Sequence, residues 1–320
     1  MSMSLSSLNE VRVMKKFLVV IMFALMIATQ ARAAEFEMVE YSAQVKLQWL
    51  AAAGIPEAQK FLELLKRPVF FTADNLEDFE RLQLTNSLYQ ELNMHAAMEY
   101  VRENNYKNVF DLACSLSPRA MILGNEGRKV VVGELSTVCL IGDWLTDELG
   151  RKSKKNVTYD AFWLQDKAGM MTSADRLKGE VCIIEQGVMI YLADDVRAQM
   201  YENIRDVLKK HGGCMITSDF MQKKYFTDVA TALYGANEAP TLYNETKAMY
   251  EKVFDDKIVD DLQDEQEAME FLKTHGLTAH KVPLFKTTPK LYVSDKLTPA
   301  QIQAVNELAK KNYLWVITAL

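Results

Sequence analysis

Short apolar runs alternate with longer amphipathic stretches from residue 108 to the end of the chain. The strand-like runs are residues 109–113, 130–132, 157–164, 181–184, 214–217, 278–284 and 313–320. Helical spacing is clearest over 194–210, where Val196, Met200 and Ile204 fall on one face. Strands that alternate with helices predict an α/β fold, in which a mostly parallel sheet carries helices on both faces.

The chain before residue 107 has a different pattern. Residues 41–66 read as helix, interrupted at Ile55-Pro56, because proline ends one helix and can open the next. Residues 76–104 predict one or two further helices. We therefore expect an N-terminal helical cap over residues 35–106 and the α/β domain over residues 107–320. A helical insertion is expected at about 220–275.

The first 34 residues resemble a secretory signal peptide. A basic start at Met14-Lys15-Lys16 precedes the apolar run Phe17–Ala28 and an Ala31-Arg32-Ala33 cleavage pattern. A membrane-spanning helix needs about 20 apolar residues, so this run predicts no stable span after cleavage. The expected location is the periplasm or the exterior. If the segment is instead a buried or surface-anchored helix, the protein is cytoplasmic; Met14 is an alternative initiator.

Composition narrows the possible functions. Apolar residues make up 49% and charged residues 25% of the 320 residues, as in soluble globular proteins. The net charge of -6 argues against a nucleic-acid surface. The four cysteines are far apart and form no C-x-x-C, so no zinc site is expected. Cys139, Cys182 and Cys214 lie in apolar runs and are predicted to be buried free thiols. The oligomeric state is not indicated.

Polar residues stand at five predicted strand ends. They are found at residues 111–119, 134–135, 164–167, 185–187 and 218–219. Ligands of parallel α/β sheets bind at the carboxyl ends of the strands, and each of the five places carries a carboxylate. Asp111 is suited to hold loop amides or an ammonium group, and Arg119 to pair with a ligand carboxylate. A structural salt bridge is the alternative for both residues.

Several familiar nucleotide and hydrolase motifs are absent from the sequence. The chain has no G-x-G-x-x-G, no G-x-x-x-x-G-K-[ST] and no G-x-S-x-G. These absences disfavour binding of NAD or ATP at such motifs and a serine hydrolase of the α/β class. Glu134, about 20 residues after the first strand loop, is still placed to accept hydrogen bonds from ribose hydroxyls.

Four stretches carry a family resemblance: "NVFDLACSLSPRAMIL", "VVVGELSTV", "VCIIEQGVMIYLADDVRAQMYENIRDVLKKHGGCMITSD" and "YLWVITAL". Together they resemble class I S-adenosylmethionine-dependent methyltransferases, nearest the leucine carboxyl methyltransferase-like O-methyltransferase group. The resemblance covers about residues 84–320. It is most specific over 183–219, where Glu185-Gln186-Gly187 precedes Tyr191-Leu192 and a helix.

The resemblance implies a Rossmann-like methyltransferase fold with a seven-stranded sheet and S-adenosylmethionine as cofactor. The loop of residues 111–119 would wrap the methionine part, with Arg119 meeting its carboxylate. Glu134 would contact the ribose, Asp166 would lie near the adenine, and Glu185 would face the amino-acid end. The implied cofactor-binding residues are Asp111, Ala113, Ser115, Arg119, Glu134, Leu135, Asp166, Glu185 and Gln186. No catalytic residue is implied.

Two residues depart from the family pattern. Ser115 stands where the family has glycine, and Ser136 stands where proline is common. A serine side chain at position 115 would crowd the cofactor if the backbone there needs a positive φ, although its hydroxyl can also donate a hydrogen bond.

Two functional hypotheses follow. The first is an O-methyltransferase acting on a carboxylate or hydroxyl of a small molecule or peptide. Methyl transfer needs alignment and exclusion of water, and a carboxylate acceptor needs no general base. The second is an exported, non-catalytic protein that retains the fold as a ligand- or partner-binding module. The signal-like segment favours the second hypothesis, whereas the retained Asp111, Arg119, Glu134 and Glu185 favour the first.

Overall fold

The computed structural model describes residues 43–66, 76–149, 153–254, 262 and 264–320. The predicted signal peptide lies outside the described residues, so export stays a prediction. None of the helices in the described part of the chain has the length and apolar character needed to cross a membrane.

Seven strands form one sheet. They are β1 (Asn108–Leu112), β2 (Lys129–Glu134), β3 (Val157–Ala161), β4 (Val181–Glu185), β5 (Gly213–Thr217), β6 (Leu277–Pro283) and β7 (Tyr313–Ala319). Their order across the sheet is β3-β2-β1-β4-β5-β7-β6. The first five strands are parallel, whereas β7 is antiparallel to both β5 and β6. The predicted Rossmann-like fold is confirmed, and each predicted strand corresponds to an observed one.

The helices follow the predicted alternation. They are α1 (43–53), α2 (Pro56–Leu65), α3 (Leu76–Glu103), α4 (Arg119–Asn125), α5 (Ser136–Leu149), α6 (Lys167–Ala174), α7 (Asp194–His211), α8 (Gln222–Tyr234), α9 (Ala239–Phe254), α10 (Glu265–Thr274) and α11 (Pro299–Lys311). Two short 3₁₀ turns occur at Met189–Tyr191 and Tyr292–Lys296.

Local sequence signals explain several helix ends. Pro56 occupies the first turn of α2, where its missing N–H costs nothing. Thr298 and Gln301 form a capping box at the start of α11. Helix α7 begins with two aspartates and ends in Lys209-Lys210-His211, which suits the helix dipole.

The two faces of the sheet bury different residues of the same strands. Val130 and Val132 of β2 pack with helices α1–α5, α8 and α11, whereas Val131 packs with α6, α7 and α10. Cys182 and Ile183 of β4 divide in the same way. This period of two follows from the pleat, and burial on both faces explains why these strands read as continuous apolar runs.

Helix α1 is part of the core. Leu47 and Leu50 are fully buried and Trp49 is 1% exposed. Burial of one such side chain contributes about 1.5–3 kcal/mol, so α1 is firmly attached to the sheet domain. Lys46 is the one charged residue within 43–53 and is only partly buried.

Candidate functional site

The strands β1, β2, β4 and β5 end together at one edge of the sheet, called here the carboxyl edge. Parallel strands bring the segments after them into one crevice. The predicted residues of the loops after β1, β2 and β4 meet at this edge.

A buried ion pair holds the first loop against the sheet. The guanidinium of Arg119 donates to both carboxylate oxygens of Asp111, over 2.5 Å and 3.0 Å. Its third nitrogen donates to Oε1 of Gln186, over 2.5 Å. Asp111 is fully buried and Arg119 is 1% exposed. In this conformation Arg119 therefore positions two other site residues, the arrangement that the salt-bridge alternative predicted.

The same network continues into α3 and the end of β5. Gln186 Nε2 donates to the carbonyl of Asn93 over 3.1 Å, and Ser218 Oγ donates to Oδ1 of Asn93 over 2.7 Å. Buried polar groups stabilise a structure only when they are paired. The chain from Asp111 through Arg119, Gln186 and Asn93 to Ser218 meets that condition and fixes the cap helix α3 on the carboxyl edge.

The loop after β1 has the backbone of a glycine-rich loop without glycine. Ala113 and Ser115 have φ values of 48° and 59°, in the left-handed region that favours glycine. The N–H of Ser115 donates to Oε1 of Glu134 over 2.6 Å, and the N–H of Leu135 donates to Oε2 over 3.0 Å. Such local strain is held where the surroundings over-determine it, and it is concentrated at functional sites.

Glu134 is therefore both a structural anchor and a candidate ligand group. It lies at the end of β2 with 9% of its surface exposed. Burial raises the pKa of Glu134 above its usual value, while the hydrogen bonds from Ser115 and Leu135 act in the opposite direction. An ionised carboxylate has about four acceptor positions, so two amide donors leave capacity for a ligand hydroxyl.

Glu185 is the least satisfied charged group of this edge. It is fully buried at the end of β4, and neither carboxyl oxygen makes a hydrogen bond with another described residue. Burial raises the pKa of Glu185 well above its usual range, and the negative charge of the neighbouring Asp219 adds to the effect. An unpartnered buried carboxyl is costly and points to a group that it would meet.

Asp219 fills a nest of backbone amides. Its carboxylate accepts from the N–H groups of Gly187 over 2.6 Å and Val188 over 2.9 Å, and from that of Met189 over 3.3 Å. Successive amides that converge in this way make an anion site. Here an internal carboxylate occupies that site and fixes the segment after β4.

Lys46 brings a positive charge to the same edge from the N-terminal cap. Its Nζ donates to the carbonyl of Gln186 over 3.2 Å. Burial lowers the pKa of Lys46, as does the positive charge of Arg119. The ammonium group is therefore placed to meet an anionic group of a ligand at the end of β4.

The segment after β3 differs from the implied picture. Asp166 caps helix α6 by accepting from the N–H of Gly169 over 3.1 Å, and its side chain is exposed. Trp163, three residues earlier, leaves 49% of its surface exposed. The geometry gives Asp166 a local structural role, and its contact with adenine stays a prediction.

The structure thus brings Asp111, Ser115, Arg119, Glu134, Glu185 and Gln186 together, with Ala113 and Leu135 in the same loops. Sequence reasoning gave no role to Lys46, which is separated from Gln186 by 140 residues. The sequence feature that could have indicated a role for Lys46 is that it is the single charged residue in the stretch that forms α1. No group of three described His, Cys, Asp or Glu side chains is arranged to hold a metal ion.

This arrangement fits a ligand with cationic groups, hydroxyls and a carboxylate. Glu134 supplies a carboxylate beside the loop after β1, Glu185 supplies a buried carboxyl at the end of β4, and Lys46 supplies an amine at the same edge. The unpartnered Glu185 oxygens and the left-handed loop are the two observations that a simple structural role does not explain.

Comparison with known proteins gives remote likenesses only. No family model matches the chain, and no curated protein matches it. A DUF574 family protein from Streptomyces avermitilis is 14% identical, over 86% of this chain and 96% of that chain, with a TM-score of 0.49. Magnesium protoporphyrin IX methyltransferase from Synechocystis, solved with bound S-adenosylmethionine, is 8% identical over 87% and 97%, with a TM-score of 0.45. The methyltransferase domain of a bacterial Hen1 protein is 13% identical over 71% and 96%, with a TM-score of 0.44.

These scores are too low to carry an argument about activity. The leucine carboxyl methyltransferase-like branch is not confirmed by them.

Proposed function

We propose that the protein is an S-adenosylmethionine-dependent O-methyltransferase, with a carboxylate or hydroxyl of a small molecule or peptide as acceptor. The observation that carries the proposal is the loop after β1, which adopts left-handed backbone at Ala113 and Ser115 and is tied to Glu134. Ser115 thus adopts a backbone conformation that glycine favours.

The proposal assigns the cofactor to the carboxyl edge. The carboxylates of Glu134 and Glu185 would face the hydroxyls and cationic groups of the cofactor. Lys46 would face the carboxylate of the cofactor. Asp111, Arg119 and Gln186 would hold the loop and the end of β4 in place, since their side chains already satisfy one another.

The cofactor would supply a methyl group made electrophilic by a positively charged sulfur. The chain would bind and orient the acceptor beside it and exclude water, which are the main requirements of this reaction. A carboxylate acceptor needs no proton transfer. A hydroxyl acceptor needs a base.

Titration calorimetry of the full chain with S-adenosylmethionine tests the proposal. We expect saturable binding, and Glu134→Gln should weaken it at least about tenfold, because the variant keeps an acceptor for Ser115 but loses the charge. Glu126→Gln is the matched control, since Glu126 precedes the opposite end of β2 and pairs with Arg102 on the surface. No heat at millimolar ligand would leave the non-catalytic binding module as the better hypothesis.

Export is a separate proposal that depends on residues 14–33 alone. It is supported by the basic start, the apolar run and the Ala31-Arg32-Ala33 pattern. We expect a reporter fusion that carries residues 1–40 to be cleaved and found outside the cytoplasm. A fusion without residues 14–33 should stay inside, and an equal distribution of the two would contradict export.

A further inference from the structure

A cleft opens beside the carboxyl edge. Its walls come from α3, the segment after β4, α8 and α9, and Gly187 lies where it meets the site described above. Gly187 has a φ of 81°, and a side chain there would approach Nζ of Lys46 to 3.8 Å. The cleft and the proposed cofactor region are therefore neighbours across one glycine.

The walls of the cleft are aromatic. Five of its thirteen lining residues are Tyr or Phe. The rings of Phe226 and Tyr243 meet edge to face with centroids 6.0 Å apart, and Tyr89 lies 5.4 Å from Phe226. Aromatic walls bind flat rings well because stacked and edge-on contacts add to burial.

The charged residues that line the cleft, within the described part of the chain, have one sign. They are Lys223 and Lys247, and no described aspartate or glutamate lines the cleft. Lys223 lies over the ring of Tyr243, with Nζ 5.3 Å from the centroid. Lys247, one turn before Glu251 on α9, has its Nζ 3.9 Å from that carboxylate. This arrangement favours an anionic ligand.

Gln222 adds a specific polar requirement. It lines the cleft, and its Oε1 is buried without a hydrogen-bond partner among the described residues. A buried acceptor left unpaired is costly, so a donor on the ligand would be favoured here. The cleft is partly open to solvent and offers about 60 Å³ of space, roughly four to six times what one water needs. That space suits a single small ring.

We propose that this cleft binds a small aromatic carboxylate bearing a hydroxyl group, with the ring between the aromatic walls, the carboxylate near Lys223 and Lys247, and the hydroxyl donating to Gln222. Its role as methyl acceptor rests on the proposed function. In that reaction a carboxylate oxygen forms the new bond to the methyl carbon while the methyl–sulfur bond breaks and its electron pair stays on sulfur. No proton is released.

Calorimetry of the full chain with the three hydroxybenzoate isomers, without cofactor, tests the proposal. At least one isomer should bind, whereas benzyl alcohol, which has the ring but no charge, should bind at least tenfold more weakly. Cyclohexanecarboxylate, which has the charge but no aromatic ring, should also bind more weakly. No binding by any isomer overturns the proposal.

Variants locate the binding. Lys223→Met with Lys247→Met should weaken the best isomer at least tenfold, and Gln222→Leu should reduce its preference over benzoate. Lys224→Met is the matched control: the neighbouring lysine of α8 pairs with Asp228 on the surface and does not line the cleft. Equal affinity in the double variant and the control would overturn the assignment.

Failure of the cleft assignment can be distinguished from failure of the proposed function. Because ring binding is measured without cofactor, a chain that binds hydroxybenzoate but not S-adenosylmethionine contradicts the proposed function and leaves the cleft assignment intact. A chain that binds the cofactor and methylates other acceptors, but does not bind hydroxybenzoates, contradicts only the cleft assignment.

Discussion

The two ends of the parallel sheet bury polar side chains in different ways. At the carboxyl edge, Asp111 and Arg119 form a fully buried ion pair, and Glu185 lies beside Asp219. Near the amino end of β4 and β5, the buried polar groups are thiols and hydroxyls. Cys182 and Cys214 are paired in register, and Sγ of Cys214 lies 3.3 Å from the hydroxyl of Tyr106.

The difference separates two reasons for burying polar groups. Thiols and hydroxyls cost little to bury when they pair with one another. Buried charges cost much more, and hydrophobic residues of similar size often replace them without loss of stability. Stability alone therefore does not explain why the carboxyl edge buries charged residues. Four predictions test this contrast between the two ends of the sheet.

The largest effect is expected from Arg119→Met. It leaves the Asp111 carboxylate buried without its cation, which should lower the free energy of unfolding by about 3–5 kcal/mol in urea denaturation. The control is Arg102→Met, which removes a partly exposed partner of Glu126 and should cost about 1 kcal/mol or less. Similar losses in the two variants would contradict a special role for the charged edge. Adding Asp111→Leu to Arg119→Met should recover much of the loss.

The next prediction concerns pH. The pKa of Glu185 is raised in the folded protein, so above its usual value of 4.5 the folded state retains a proton that the unfolded chain has lost. Stability due to this group therefore falls as pH rises through the window between the two pKa values. Glu185→Gln should flatten the unfolding free energy measured from about pH 5 to about pH 8.

The matched control is Glu180→Gln, at the exposed amino end of the same strand. It should leave the pH profile unchanged. If the unfolding free energies of Glu185→Gln and of the native chain fall equally with rising pH, the raised pKa of Glu185 is contradicted. Glu134 also has a raised pKa, so part of the slope should remain in the variant.

At the opposite end of the sheet we expect one thiol to ionise near neutral pH. Hydrogen bonds from Cys182, Tyr106 and Tyr100 lower the pKa of Cys214 to about 7. Thiolate absorbance in the ultraviolet should therefore show a step near neutral pH that Cys214→Ala removes and Tyr106→Phe shifts upward. Cys139→Ala is the control, because burial raises the pKa of Cys139 to about 12. A neutral step that persists in Cys214→Ala would refute the assignment.

The smallest effect is expected at Ser115. Left-handed backbone costs a residue with a Cβ about 1–2 kcal/mol, and the extra freedom of glycine in the unfolded chain offsets much of the gain. Ser115→Gly should therefore change the unfolding free energy by less than about 1 kcal/mol, in the stabilising direction. The β-branched Ser115→Val should destabilise. Equal stability of the two variants would show that the loop relaxes away from a φ of 59°.

Much of the fold could be predicted from the pattern of apolar and polar residues. The apolar runs located seven strands, Pro56 divided α1 from α2, and Thr298 marked the start of α11. These features are local, because side-chain periodicity and capping act over a few residues. Strand β3 is shorter than expected and ends at Ala161, since Trp163-Leu164 already belong to the turn that leads into α6.

Only part of the candidate site could be predicted from the sequence. The sequence placed Asp111, Glu134 and Glu185 at strand ends, and the rule for parallel sheets put them at one edge. It left open whether Arg119 meets a ligand or Asp111, and it gave no role to Lys46. Those contacts join residues distant in sequence, and their geometry depends on how helices pack on the sheet.

By itself, the sequence determined which segments become strands and helices and which strand ends carry charge, because burial and periodicity act locally. Tertiary structure decided what those charges do. It placed β7 antiparallel between β5 and β6, closed Asp111 on Arg119, and held Ser115 in a conformation that favours glycine. It also set an aromatic, lysine-lined cleft beside the carboxyl edge. The physical reason is that pairing of buried charges, backbone strain and cavity shape all depend on elements that meet only in the folded chain.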